Sequence, residues 1–122
     1  MSGAIAESAR VLISGGQLCL AIVHPLNSAG RFVNEEPDSP FVIEGSYLDP
    51  RRTVDHVERD GLQMTFHSEH RPLVDYFSAL ERSKFLVEAL REHAVPEGSF
   101  SRPRGKRWQR LPLFLHLRAR RT

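Results

Sequence analysis

Histidine, tyrosine and arginine side chains have the chemistry to hold a small polar molecule, and histidine to take a proton from it; His24, Tyr47, His67, His70 and Arg71 are among those in this 122-residue sequence. An imidazole titrates near neutrality and accepts a proton from an oxygen or nitrogen. A guanidinium offers a two-pronged donor to a carboxylate or phosphate, and a phenol joins an apolar ring to one polar tip. Each residue also has a plainer role. His24, followed by Pro25 at the end of an apolar run, suits a hydrogen-bonded histidine that closes a strand. His70 and Arg71 stand just ahead of Pro72, where they would flank or cap a helix entry. Tyr47 suits a lid or core aromatic.

Other chemistries find less support. His67 and His70 are separated by two residues, Glu69 among them, with His56 across the hairpin, but zinc needs three or four ligands converging at about 2 Å. No fourth ligand presents itself, so no metal is expected. Cys19 is the only cysteine and sits inside the apolar run Leu18 to Val23, which predicts a buried thiol in a reducing compartment. No serine occupies a Gly-x-Ser-x-Gly elbow. The glycines fall at 3, 15, 16, 30, 45, 61, 98 and 105, so no Gly-x-Gly pair exists to bring backbone against a nucleotide.

The elements that must position these residues follow from pattern. Ile5 to Leu12 reads as helix, with Ala6, Ala9 and Leu12 on one side, ended by Gly15 and Gly16. Gln17 to His24 is apolar on both faces, as in a strand of a parallel sheet covered on both sides. Pro25 to Pro40 reads as loop, and Phe41 to Leu48 as either a short helix or an irregular lid. Arg51–Arg59 and Leu62–His67 flank Asp60-Gly61, a two-residue hairpin signal; Leu62, Met64 and Phe66 alternate with polar residues. A helix runs from Pro72 to about Ser83, with Leu73, Tyr76, Phe77 and Leu80 on one face. Phe85 to Arg91 is a strand, 96–107 a loop, and Leu111 to Arg118 a last strand.

Composition bounds the class. The length suits one domain, and no apolar stretch approaches the roughly 20 residues needed to span a bilayer. No signal-peptide pattern opens the chain, so a cytoplasmic address is expected. From Arg102 to Thr122 there are eight Lys/Arg and no acid, against nine basic and fifteen acidic residues before. Leucines alternate through this basic stretch as in a strand, which argues against a nucleic-acid-binding arm.

Three segments carry a resemblance. Ala9-Arg10-Val11-Leu12-Ile13-Ser14-Gly15-Gly16-Gln17-Leu18 is similar to the Ala-Arg-Val-Leu-Arg-Pro-Gly-Gly-x-Leu that precedes strand five in class I S-adenosylmethionine-dependent methyltransferases. His67-Ser68-Glu69-His70-Arg71-Pro72-Leu73-Val74-Asp75-Tyr76 resembles the His-Arg-x-Leu-x-Asp-Tyr segment of the small-molecule enzymes. Ala79-Leu80-Glu81-Arg82-Ser83-Lys84-Phe85 stands where Ala-Leu-x-x-Ala-Gly-Phe leads into strand six, and Leu111 to Leu115 where strand seven follows. The resemblance implies an α/β fold, a partial Rossmann-like sheet of strands five, seven and six in the order five, seven, six. It also implies one or two covering helices and a lid hairpin at 25–70 within a single partial domain, 1–122.

The same resemblance places His24, Tyr47, His67, His70 and Arg71 on the acceptor side of a cleft and implies methyl transfer to a small molecule. S-adenosylmethionine is the implied cofactor. The glycine motif after strand one and the acid ending strand two are not in this sequence, so binding of the cofactor by this chain alone is not expected. Lys84 replaces glycine and is expected at a positive φ. An alternative is a non-catalytic binding or assembly protein on the same scaffold; a third is a reading frame that starts upstream of Met1. The outer edge of the Gln17–His24 strand would lie bare, so a second copy of the chain, or another partner, is expected to cover it.

Overall fold

The alternation Phe-Leu-His-Leu-Arg-Ala-Arg near the C-terminus puts apolar and polar side chains on opposite faces of one strand, and that strand organises the molecule. The computed structural model describes residues 1–99 and 103–122; the middle of the expected 96–107 loop, residues 100–102, lies outside the described residues. In chain order the elements are α1 (Ser2–Val11), β1 (Gln17–Val23), α2 (Pro25–Ala29), β2 (Gly30–Phe32) and β3 (Phe41–Ile43). Then come β4 (Arg51–Arg59), β5 (Leu62–His70), α3 (Leu73–Arg82), β6 (Phe85–His93), a 3-10 helix (Pro103–Gln109) and β7 (Phe114–Arg121).

β7 lies between β1 and β6 and is antiparallel to both, with Leu117 opposite Leu20 on one side and Leu90 on the other. The parallel pairing expected from the doubly apolar β1 is absent among the described strands. Leu115, Leu117 and Ala119 of β7 are buried against Ile5 and Ala9 of α1, Ala79 and Leu80 of α3, and Phe85. Both helices therefore cover the same face. Ala6 points to solvent, and Ile5 takes the inward place instead.

Among the described residues no helix covers the opposite face of the sheet. β1 alternates strictly between half-buried and exposed, so Cys19, Ala21 and Val23 face outward. The expected buried thiol is an exposed one, because its side chain points away from α1 and α3, which cover the other face of the sheet. The pairing of β6 with β7 shifts register between Val87 and Ala89, at Glu88. Basic residues of β7 on this face are neutralised locally: Glu88 lies 2.8 Å from Arg120 and 3.4 Å from Arg118. Arg110 donates to the Ser39 carbonyl at 2.7 Å, so part of the basic stretch is spent tying the 3-10 segment to the loop between β2 and β3.

β4 and β5 pair separately, from Arg51 opposite His70 to Arg59 opposite Leu62. Asp60 (φ 52) and Gly61 (φ 77) both take the left-handed conformation that a tight hairpin matched to strand twist requires. The alternation expected for the second arm does not bury it: Leu62 and Phe66 remain exposed, since the outer ribbon has nothing to pack on. A further helix, α2, and the short pair β2–β3 occupy the 25–48 region read as loop and lid.

α3 starts one residue later than its pattern suggests, with Pro72 as its cap and Asp75 and Arg82 complementing the dipole at its two ends. It stops at Ser83, and Lys84 follows at φ 59. A side chain in that conformation costs about 1–2 kcal/mol, and glycine returns about 0.5–1 kcal/mol of that as lost freedom on folding. Lys84→Gly should therefore stabilise the protein by about 0.5–1 kcal/mol in urea unfolding. An unchanged or lower midpoint would refute the strain.

Candidate functional site

Pro25 lacks an N–H and has a fixed φ, so it starts a helix well, and His24 caps that helix. The Nδ1 of His24 accepts the Leu26 N–H at 3.0 Å, which leaves Nε2–H to donate to Glu92 Oε1 at 2.7 Å. With both nitrogens used and 8% of its surface exposed, His24 fixes the turn from β1 into α2. That turn carries Asn27 and Ser28 to the carboxyl end of β1.

There the chain encloses a cleft of about 610 Å³. Ile22 and Val23 form its floor, Asn27 and Ser28 one wall, and Arg51, Thr53 and Asp55 of β4 another. His67 to His70 of β5, Glu44 and Tyr76 complete it. Arg51 stiffens the wall by donating to the Ala29 carbonyl at 2.7 Å and the Ser46 carbonyl at 3.3 Å.

His70, 2% exposed, is held from both sides. Its Nε2 lies 2.7 Å from the Tyr47 carbonyl, which can only accept, so Nε2 carries the proton. Its Nδ1 lies 2.7 Å from Ser28 Oγ. Tyr47 sits behind this group: its ring meets the imidazole edge-on at 5.6 Å, and its hydroxyl accepts the Leu73 N–H at 3.0 Å. Arg71, which does not line the cleft itself, donates to Glu69 Oε1 at 2.7 Å at its margin.

Of the five residues singled out from the sequence, His67 and His70 line the cleft and Tyr47 supports His70 from behind. His24 and Arg71 are engaged beside it, His24 as helix cap and Arg71 with Glu69. Ser28, Asp55, Arg51 and Tyr76 are cleft residues that pattern alone does not reveal. The one available signal was Pro25, whose placement after a strand marks a helix start. Among the described residues, no three His, Cys, Asp or Glu side chains are grouped to hold a metal ion.

Two ionisations at the site are displaced. The hydrogen bond from Arg71 holds the exposed Glu69 carboxyl below its ordinary value. A carboxylate of lowered pKa contributes stability above its unfolded value, and that stability is lost as pH falls through the folded value. Burial pushes the Tyr76 phenol above 10.0, so its contribution is intact below the free value and lost as pH rises through the folded one. Arg71→Gln should move the Glu69 titration back up, and Tyr76→Phe should flatten the alkaline limb of the stability curve. NMR titration of the carboxyl and unfolding at several alkaline pH values measure the two; no movement in either would contradict these causes.

A second hollow, of about 420 Å³, lies on the bare sheet face between Cys19, Ala21, Ala89 and His116. It is more open and mostly apolar, and no network of buried polar groups converges on it. No helix among the described residues is long and apolar enough to cross a membrane.

The residues present do not fit an S-adenosylmethionine cradle. Such a cradle needs backbone N–H groups and glycines at a strand-to-helix turn. Among the described residues the strand-to-α-helix turns, β1 to α2 and β5 to α3, carry the buried prolines Pro25 and Pro72 instead. Gly30, the glycine nearest the cleft, has its Cβ position filled by the Val42 carbonyl of its own chain.

No protein-family model matches the sequence, and no curated protein is significantly similar to it. Solved structures are. A Listeria monocytogenes protein described as an S-adenosylmethionine-dependent methyltransferase superposes with a TM-score of 0.74 at 16% identity, over 100% of this chain and 55% of that one. An S-adenosylmethionine-dependent methyltransferase from Mesorhizobium loti gives 0.70 at 22% identity, over 98% and 55%. The chain thus spans about half the length of these structures, and its fold is similar to the part of each that it covers.

Proposed function

We propose that this chain provides the acceptor side of a methyl transfer from S-adenosylmethionine to a small molecule, and does not hold the methyl donor by itself. The observation that carries this reading is the position of the cleft. It opens at the carboxyl end of β1, where ligands bind in open α/β sheets, in a fold shared with part of such enzymes. Methyl transfer is an in-line displacement that depends mainly on placing the acceptor atom. His67 meets the acceptor's polar end and His70 stands behind Ser28, while Tyr47, His24 and Arg71 hold the surrounding loops. Isothermal titration of this chain with S-adenosylmethionine should show no binding. Tight binding by the chain alone would overturn the division of labour.

The bare sheet face favours a second reading, a non-catalytic binding or assembly protein. Cys19, Ala21 and Val23 are exposed along β1, whose outer edge has no strand beside it among the described residues. A homodimer or another partner would cover that edge. Light scattering distinguishes the two: a stable, well-behaved monomer argues against this reading.

A further inference from the structure

His70 is too buried to meet a ligand directly, yet it is wired to one side chain that does. Ser28 lines the cleft, and its hydroxyl has two partners within reach, His70 Nδ1 at 2.7 Å and the Pro25 carbonyl at 3.2 Å. A hydroxyl has one proton and two lone pairs. With neutral His70, Nε2–H is committed to the Tyr47 carbonyl, so Nδ1 is bare and Ser28 must donate to it. The serine oxygen then has lone pairs to offer a donor in the cleft. With His70 doubly protonated, Nδ1–H donates back to Ser28 Oγ, and the serine proton turns to the Pro25 carbonyl. Both states leave the imidazole nitrogens and the serine hydroxyl paired, as groups so enclosed require, since an unpaired one costs free energy.

We propose that Ser28 and His70 form a proton relay that takes a proton from an O–H or N–H donor bound in the cleft. The ligand's proton passes to Ser28 Oγ as the serine's own proton passes to His70 Nδ1. The ligand is left as an alkoxide, phenolate or neutral amine, and the charge gained by the imidazole equals the charge lost by the ligand. Ser28 is the group that touches the ligand, and His70 acts through it. The titratable groups facing the same cleft are Glu44, Arg51, Asp55, His67, Glu69 and Tyr76.

The relay deepens the acceptor-side reading by naming the acceptor as a hydrogen-bond donor with a proton to lose. Its test contains no S-adenosylmethionine, so its failure is separate from failure to bind the methyl donor. Histidine ¹⁵N NMR on the whole chain reports which ring nitrogen carries the proton. In the free protein, His70 should be protonated at Nε2 and hydrogen-bonded at Nδ1. Ser28→Ala should shift Nδ1 alone, and Ser28→Thr should restore it. Adding p-cresol or benzylamine should move the Nδ1 resonance toward the protonated value, whereas anisole, the methyl ether that lacks an O–H, should not. The two donors separate a phenol acceptor from an amine one. A proton found on Nδ1 in the free protein, an Nδ1 signal indifferent to Ser28→Ala, or an anisole response equal to that of p-cresol would each overturn the relay.

Discussion

Leu115→Ala should lower the unfolding free energy by about 3 kcal/mol and the melting temperature by roughly 10 °C. Leu115 is fully buried in the middle strand, opposite Ile22 of β1 and Glu92 of β6, and it packs in the one cluster that joins both helices to the sheet. Truncation removes the transfer free energy of three carbons and leaves a void that strands hydrogen-bonded on both sides cannot collapse to fill. A domain of ordinary stability holds only about 5–15 kcal/mol in reserve. Urea unfolding of Leu115→Ala beside Leu86→Ala makes the comparison, because Leu86 is more than half exposed on the bare face. Equal losses at the two positions would show that the helix-covered face is not where the stability lies.

Gly30→Ala should cost about 2 kcal/mol, felt mostly in one region. A Cβ at Gly30 would lie 2.0 Å from the Val42 carbonyl oxygen and 2.8 Å from its carbon. Both are backbone atoms of β3, so no rotamer change relieves the clash. The backbone at Gly30 is extended, so the requirement is for space and not for an unusual conformation. To admit a methyl group β2 and β3 must part, which also disturbs the Ala29 carbonyl that accepts from Glu44 N–H and Arg51. Amide exchange across residues 30–44 should accelerate well beyond that of β6 and β7 in the same protein. Exchange that stays uniform across the molecule would mean the β2–β3 contact is looser than its geometry.

The parts legible in the sequence are those fixed by neighbours along the chain. Asp60-Gly61 specified the hairpin because both residues tolerate positive φ, and the i, i+3, i+4, i+7 spacing from Leu73 to Leu80 specified α3. The β7 alternation gave its two faces. The positive φ at Lys84 was legible only through the resemblance, which has glycine at that position.

What stayed hidden depends on partners far away in the chain. β1 is apolar throughout, and nothing in Leu18 to Val23 tells which face the helices cover; Cys19 landed on the other one. α2 is a single turn and a half, too short for a periodic stripe, so only Pro25 betrayed it. The cleft is built by side-chain contacts such as Ser28 with His70, 42 residues apart, and no local spacing encodes them. His70 could be named as chemically able, but its burial and its serine intermediary belong to the tertiary structure.

The placement of β7 also governs how the chain can fold. Gln17 must find Arg120, and Phe85 must find Arg121, before either outer strand has a ladder. Contacts this distant in sequence demand that most of the loop-closure entropy be spent first, which slows the search relative to a helical domain of similar size. During synthesis β1 and β6 emerge ahead of the strand that joins them, each with two unsatisfied sides. That interval, and not the finished fold, is when self-association competes most strongly with folding.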